Sequence, residues 1–380
     1  ASKTGDYNNF GVSSPQQDDD SITGTLSSGQ MNGIQAIVPF GEMIMLTSGG
    51  EYRVSGGNGE PFKPTTQQAR PQEYRGVNEL TPVIIGGRIV YVQRDGRVIR
   101  DLAYAYDVDK YTGDDVSILA NHLFDRHKIV SITYQQAPDS IVWCVRDDGV
   151  LLGMTYIKEQ DIYAWHRHIT NGKFIDVCSV PSDSNDVLWA IVEINGEYYV
   201  EHMAERDSDI YLDFSVTLSF NTPTNTITGL TTYAGMEVEV VGDGVKLPPM
   251  VVSSQGTLTF EHSYSRFVIG IPYETEIKTL PIEVTGNDGT WGSRKKRIQN
   301  ITVQFVDTIG GLFGYDEEHL DEIKWRTTEP YGQGVRPFTG KKNINLPLAN
   351  YEDTLMIIIK QIEPYPMTVL SIIPEVVAGG

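Results

Sequence analysis

Two histidines in the run Trp165-His166-Arg167-His168 are the first residues whose type and spacing could do chemistry. Alternate residues of a β-strand point to the same side, so a strand here places both imidazoles on one face. A zinc site needs a third and a fourth ligand, and no nearby cysteine or carboxylate has the expected spacing. We therefore predict a polar strand face or a subunit contact here, and the sequence predicts no metal ligands.

Two groups of acidic residues could attract calcium: the run Asp18 to Asp20, and the set Glu205, Asp207 and Asp209. A dedicated calcium loop has spaced oxygen ligands around a turn glycine, and neither group has that pattern. We predict that both are solvated acidic turns.

The two cysteines, Cys144 and Cys178, lie in strand-like runs. A cysteine in such a run is more often a small buried apolar residue than a metal ligand or a redox centre. We interpret both as buried and unpaired, which fits assembly in a cytosol.

Signatures of the common catalytic and nucleotide sites do not occur in the sequence. None of the 37 glycines forms GxxxxGK[ST], no GxGxxG stands between a strand and a helix, and there is no GxSxG elbow. A carboxylate pair for glycoside hydrolysis cannot be singled out among 50 scattered acids. We predict no catalytic residue, no cofactor-binding residue and no cofactor, and hence a protein that is not an enzyme.

The net charge of −20 argues against a protein that wraps DNA, because phosphate neutralisation needs a surface rich in lysine and arginine. The same charge would let DNA slide past an acidic wall without binding. Acidity that only aids solubility is the simpler alternative. The basic run Arg294 to Arg297 is predicted to be a charged strand edge or to meet an acidic neighbour.

Short strands joined by tight turns are the elements that position these residues. Ile141 to Arg146 and Val150 to Tyr156 flank the turn at Gly149, and Val187 to Glu193 meets Glu197 to Glu201 across Asn195-Gly196. Between the two hairpins, Tyr163 to His168 and Lys173 to Val180 flank a third turn. The pattern predicts a β-meander.

This hairpin pattern recurs along the chain. The strands around Gly149 match those around Gly96, with earlier and later copies around Gly49 and Gly196. The spacing of about fifty residues, with about four strands in each unit, is typical of a propeller blade. A generic β-sandwich with similar hairpins is the alternative.

The rest of the chain is divided by composition into further segments. Val116 to Leu123 is predicted to be a short packing helix, with Val116, Leu119, Ala120 and Leu123 on one face. Residues 1–205 are predicted to be an all-β, β-propeller-like region, 206–275 a small β-barrel and 276–380 a C-terminal β-sandwich-like domain. No run approaches the roughly 18 apolar residues of a membrane span, so no membrane insertion of this segment is predicted.

Several short motifs occur in the same order as in a known group of proteins. They are Ser2 to Phe10, Asp18 to Asp20, Leu46 to Glu51, Gln68 to Pro71, Arg100 to Leu102, Tyr111 to Gly113, Tyr134 to Pro138 and Trp165 to His168. With them, residues 1 to about 205 resemble the tail nozzle or hub (stabilisation) proteins of short-tailed, podovirus-like phages and prophages. Residues 210 to 275 are more weakly similar to a small β-barrel domain of ubiquitin-activating enzymes, which implies no ubiquitin chemistry here.

The resemblance implies a structural subunit of a phage tail that forms a hexameric ring with itself, through which genomic DNA leaves the virion. Other tail proteins (adaptor, fibre or needle) are the implied partners, the virion tail is the implied location, and assembly takes place in the cytoplasm of the bacterial host. The resemblance supplies no catalytic residues. Family members are longer at the N-terminus, so the chain is expected to be an excerpt with an incomplete or rearranged propeller.

Two other functions stay open at this point. One is a tail adhesin that binds glycans of the host surface through propeller loops. The other is a glycan-degrading tail enzyme, which needs two carboxylates about 5 to 9.5 Å apart in a cleft.

Overall fold

The structure is a computed structural model that describes residues 1–26, 32–206, 208–283, 285–286, 289–290, 294–325, 335–344 and 351–378. These residues form an almost purely β structure, as the sequence predicts. The chain divides into two compact units, Ala1–Met203 and Ala204–Gly380.

The first unit contains four antiparallel meander sheets in chain order. Sheet 1 consists of β1 (Ile34–Phe40), β2 (Glu42–Thr47), β3 (Gly50–Gly56) and β4 (Gln67–Glu73), and sheet 2 of β5 (Val83–Ile85), β6 (Arg88–Val92), β7 (Ile99–Ala105) and β8 (Lys110–Asp115). Sheet 3 consists of β9 (Ile129–Gln135), β10 (Ile141–Arg146), β11 (Leu151–Ile157) and β12 (Ile162–His168), and sheet 4 of β13 (Lys173–Pro181), β14 (Asp186–Ile194) and β15 (Glu197–His202).

The four hairpins that repeat in the sequence are the second and third strands of each of these sheets. The first three hairpins make the same kind of contact with the chain that leads into or begins the following sheet. The carbonyls of Thr47, Gly96 and Gly149 accept hydrogen bonds from the N–H groups of Val77, Ile129 and Phe174, at 2.9, 2.8 and 3.0 Å. The first unit is therefore a β-propeller-like array of four blade-like repeats.

Sheet 2 shows why the central strands of the array are apolar without alternation. On β6, Ile89 and Tyr91 pack toward sheet 1, and Val90 and Val92 pack toward sheet 3. Since both faces are covered, neighbouring residues of one strand are all buried. Each sheet in the middle of the array thus forms one core with the sheet before it and another with the sheet after it.

The helix predicted at Val116 to Leu123 is only a 3₁₀ turn, Ile118–Leu123, with a non-helical residue at Ala120. Val116, Ala120 and Leu123 are buried as predicted, but Leu119 is 93% exposed. The prediction of Leu119 on the packed face was wrong because the irregular backbone at Ala120 breaks the 3.6-residue period.

The second unit also consists of antiparallel sheets. One sheet has the order β16 (Asp213–Ile227), β19 (Leu258–Ile271), β17 (Glu237–Gly242), β18 (Val245–Val251). A second has the order β20 (Thr275–Lys278), β27 (Ile358–Gln361), β24 (Leu312–Gly314), β25 (Leu320–Glu322), and a third has β23 (Lys296–Thr308) between β26 (Phe338–Ile344) and β28 (Thr368–Ala378). β21 (Thr285–Gly286) pairs with β22 (Gly289–Thr290).

Three segments of this unit differ from what local sequence predicts. The polar run with a proline at Asn221 to Asn225 predicts a loop, but the segment lies inside the long strand β16, where the pairing register with β19 shifts. Apolar residues predict one strand from Ile277 and another from Ile323, but the first, β20, ends at Lys278, and Ile323 to Trp325 follow β25 without strand structure. Register shifts and short edge strands depend on the neighbouring strand, which local sequence does not reveal.

Candidate functional site

The two histidines of the Trp165 to His168 run lie side by side on β12, as alternate residues of a strand should. His166 Nδ1 is 2.9 Å from His168 Nε2, so one ring donates a hydrogen bond and the other accepts it. The indole of Trp143 contacts both rings, at centroid distances of 5.5 and 5.3 Å. The rings fit because Gly153, on the neighbouring strand β11, has no side chain where they lie.

Burial, together with a smaller contribution from the adjacent His166, lowers the pKa of His168 to about 4. His168 is therefore neutral at physiological pH. The arrangement is a packed, largely buried aromatic cluster on one face of sheet 3, and we place no chemistry there.

Among the described residues, His127, Asp147 and Asp148 are the three that could together hold a metal ion, with ligand atoms within 4.8 Å of one another. His127 Nδ1 is 3.1 Å from Asp147 Oδ1. Asp148, however, already accepts two hydrogen bonds from the Arg146 guanidinium, which lowers its pKa. In the sequence, Asp147 and Asp148 belong to the turn before Gly149, and nothing there connects them with His127, which lies about twenty residues earlier.

The acidic run Asp18 to Asp20 was predicted to be solvated, and for Asp20 this was wrong. Asp20 is 2% exposed and pairs with Lys3 at 2.8 Å, while also accepting hydrogen bonds from Ser13 and the N–H of Gln17. These donors hold the pKa of Asp20 well below its usual range. Because Asp20 contacts Lys3, Ser13 and Gln17, it stabilises the fold of the N-terminal segment, which is a structural role.

In the second acidic group, Asp207 lies outside the described residues. Asp209 adopts a left-handed backbone conformation with φ of 54°. The carbonyl of Glu205 accepts a hydrogen bond from the Ser208 N–H at 3.1 Å, as in a tight turn.

The basic run Arg294 to Arg297 does not lie on a strand edge, which corrects one of the two predictions for it. Lys296 begins β23, the central strand of its sheet, and its backbone bonds on one side to Glu352. Its side chain is fully buried, with Nζ 3.3 Å from Glu283 Oε1. The contact with an acidic neighbour, the other prediction, is therefore confirmed for Lys296.

The two cysteines differ in environment. Both are free, but Cys144 is buried and Cys178 is exposed, so the prediction of burial was wrong for Cys178. Burial raises the pKa of the Cys144 thiol. Cys178 lies opposite Trp189 in the pairing of β13 with β14, on the side of sheet 4 that faces away from the core.

That side of sheet 4 is an exposed apolar surface, which we name the outer face of sheet 4. Its apolar residues are Val180, Val187, Trp189, Ile191, Tyr198 and Val200, and the strand pairing places Cys178, Glu193 and His202 on the same side. Val200 is 71% exposed, Tyr198 67%, Val180 45% and Ile191 39%. The opposite side carries Leu188, Ala190, Val192 and Ile194, all buried.

The outer face of sheet 4 breaks the pattern of the array. Sheets 2 and 3 are covered on both sides, whereas sheet 4 is covered on one side and has three strands in the part of the chain that is described. Within β14, the six residues from Val187 to Val192 are nevertheless all apolar, as in a strand with two covered faces, and Asp186 and Glu193 flank them. A contiguous exposed patch of this kind is typical of a protein interaction surface.

A groove in sheet 1 is the second surface feature of the first unit. It encloses about 920 Å³ between the β1–β2 hairpin, the end of β3 and the loop that follows β3. Its apolar lining includes Ile37, Phe40, Met43 and Phe62, and its charged lining is Glu42, Glu60, Arg53 and Arg70. The sequence does not predict this groove, because nothing in it shows that the loop folds back over the sheet.

Comparisons with known proteins give little further information. No family model and no curated protein matches the chain. Among solved structures, the chain is similar to an exo-β-1,3-galactanase from Phanerochaete chrysosporium, solved with β-1,3-galactotriose, at 8% identity, a TM-score of 0.25, and coverage of 89% of this chain and 80% of that chain. A TM-score this low carries no argument about this chain. Among the described residues, no helix has the length and apolar character to cross a membrane.

Proposed function

We propose that the chain is a structural subunit of a short phage tail, part of a nozzle or hub that assembles as a ring of identical copies. The motif order in residues 1 to 205 supports the tail assignment. The outer face of sheet 4 is the single observation that supports assembly. Its apolar side chains are exposed, although they belong to the last sheet of an array whose other sheets pack on one another.

Covering this face is energetically favourable. Burying an exposed valine or isoleucine side chain stabilises by about 1.5 to 3 kcal/mol, and the face has several such side chains. A ring requires a heterologous contact, in which one surface of a copy meets a different surface of the next. The outer face of sheet 4 is one surface of that contact in this proposal.

The acidity of the chain suits a tube for DNA. With a net charge of −20, a lumen lined by carboxylates repels phosphates, so the genome passes without binding. The role is mechanical, with no catalytic residue and no cofactor. Adaptor, fibre or needle proteins are the proposed neighbours in the virion tail, after assembly in the host cytoplasm.

The tail assignment is tested on virus particles released by the organism that encodes the chain. Mass spectrometry of purified particles should detect its peptides, and a cryo-EM map of the tail should show the acidic surface toward the lumen. Particles without the protein would contradict the tail assignment, and an acidic surface turned outward would contradict the proposed lumen.

A further inference from the structure

The groove of sheet 1 is held open by its own backbone geometry. Gly41, with φ of 63°, makes the tight turn between β1 and β2. A Cβ on Gly56 would lie 1.9 Å from the carbonyl oxygen of Glu60, so only glycine lets the loop cross so closely. Thr66 then fixes the loop, because its hydroxyl donates to the Pro61 carbonyl and its carbonyl accepts from the Gly57 N–H. The groove is therefore preformed.

The two arginines that line the groove are each hydrogen-bonded to a neighbouring polar side chain. The Arg53 guanidinium is paired with Glu42, donating from Nη2 to Oε1 at 2.7 Å, and it lies over the ring of Tyr104 at 5.9 Å. Arg70 donates from Nη2 to the neutral side chain of Gln68 at 2.9 Å. The two arginines balance Glu42 and Glu60, so the lining carries no net charge.

Aromatic rings continue from the groove across its rim to sheet 2. Phe40 packs edge-to-face on Tyr111 at 6.4 Å, Tyr111 on Tyr104 at 5.4 Å, and Tyr104 on Tyr106 at 4.9 Å. Tyr106 is 91% exposed. An aromatic ring in water lacks the favourable free energy that its burial would contribute. On the opposite wall, Phe62 is 39% exposed.

We propose that this groove binds a neutral oligosaccharide. A sugar ring has apolar C–H faces that pack on aromatic rings and hydroxyls that bond to carboxylate and guanidinium groups, and the groove presents both kinds of surface. Its volume lies in the range of small-ligand sites, about 300 to 1,000 Å³. The balanced lining and the net charge of the chain, −20, disfavour polyanions.

In this inference Phe62 in the groove and Tyr106 beyond its rim are the stacking platforms, and the Arg70 guanidinium donates hydrogen bonds to sugar hydroxyls. The site goes beyond the ring function and does not depend on it, because the groove lies on sheet 1 and the assembly surface on sheet 4. A tail subunit with such a groove would contact glycans of the host surface while it holds the tube together.

Saturation-transfer-difference NMR on the whole chain tests the inference. The probes are neutral hexasaccharides of glucose, galactose and mannose, with hexagalacturonate as the anionic comparison. We expect transfer to at least one neutral probe, and about tenfold weaker binding in each of Tyr106→Ala, Phe62→Ala and Arg70→Ala. Tyr7→Ala is the matched control, since Tyr7 is also a highly exposed tyrosine, at 87%, and is not a member of the row of aromatic rings that runs from Phe40 to Tyr106.

The inference is overturned if no neutral probe shows transfer, if only the anionic probe does, or if Tyr106→Ala, Phe62→Ala and Arg70→Ala all bind as tightly as Tyr7→Ala. Weaker binding by Tyr106→Ala cannot be attributed to unfolding, because removal of a ring that is 91% exposed leaves the core intact.

Discussion

Buried acidic residues join neighbouring blades. Glu51 of sheet 1 accepts a hydrogen bond from the Tyr91 hydroxyl of sheet 2 at 3.2 Å, and burial raises the pKa of the Glu51 carboxyl. Asp101 of sheet 2 accepts one from the Tyr156 hydroxyl of sheet 3 at 2.9 Å. In both contacts the acid belongs to one blade and the tyrosine to the next. The sequence shows these acids but not that they are buried, because their partners are 40 and 55 residues away.

Asp101→Ala should strongly destabilise the first unit. Asp101 is fully buried and pairs with Arg88 at 2.7 Å, so its removal leaves the guanidinium without its partner. Breaking a buried ion pair costs about 3 to 5 kcal/mol. The measurement is urea-induced unfolding, with Asp18→Ala as the control, because Asp18 is an exposed aspartate paired with Lys63. Equal unfolding midpoints for the two variants would contradict the role of Asp101.

The stability of the first unit should fall as the pH drops from about 6.5 to about 4. An unfolded histidine has a pKa of about 6.5, whereas burial keeps that of His168 at about 4 in the folded state. The unfolded chain therefore binds a proton in this window that the folded chain does not. The contribution is fully present above pH 6.5, and about 3 kcal/mol is lost by pH 4.

His168→Gln removes this titration, so its unfolding free energy should depend less steeply on pH in the same window than that of the unchanged chain. The measurement is denaturant unfolding at several pH values. Parallel pH profiles for the two proteins would show that His168 does not titrate with a lowered pKa.

At the level of elements, the sequence predicts best what is local. The hairpins at Gly149 and at Asn195-Gly196 follow from alternating strands and residues that tolerate positive φ, and the structure has φ of 89°, 54° and 84° there. The groove loop after β3, the exposure of Leu119 and the strand at Asn221 to Asn225 were not predictable, since each depends on contacts distant in sequence.

Gly153→Ala should disturb sheet 3. A Cβ at this position would lie 2.2 Å from Cε1 of His166 and 2.9 Å from the Trp143 ring, so the aromatic cluster has to move. Overpacking of this kind costs about 1 to 3 kcal/mol. Thermal unfolding is the measurement. Gly33→Ala is the matched control, because the nearest atom to its Cβ is 3.8 Å away, and a melting temperature as low for Gly33→Ala would refute the steric argument.

At the scale of the whole molecule, the four-blade array has one end that is an apolar surface. The repeat in the sequence was sufficient to predict the blades, because each repeat contains its own strands and turns. It did not predict that the outer face of sheet 4 is exposed, because exposure depends on whether another sheet packs against that face. Assembly and charge are therefore the properties to test at this scale.

The chain should not retain duplex DNA. Its 50 acidic residues outweigh 30 basic ones, so phosphates are repelled at physiological ionic strength. Electrophoretic mobility of a DNA duplex should be unchanged by an excess of the protein. Retardation that disappears at high salt would instead indicate a phosphate-binding surface and argue against a passive tube.

Native mass spectrometry over a range of protein concentrations tests the central claim most directly. The account predicts a closed oligomer of one copy number that forms with rising concentration. Val200→Glu, on the outer face of sheet 4, should abolish it, while Leu119→Glu, at another highly exposed apolar residue, should not. A monomer at every concentration, or an oligomer that Val200→Glu leaves intact, would contradict the account.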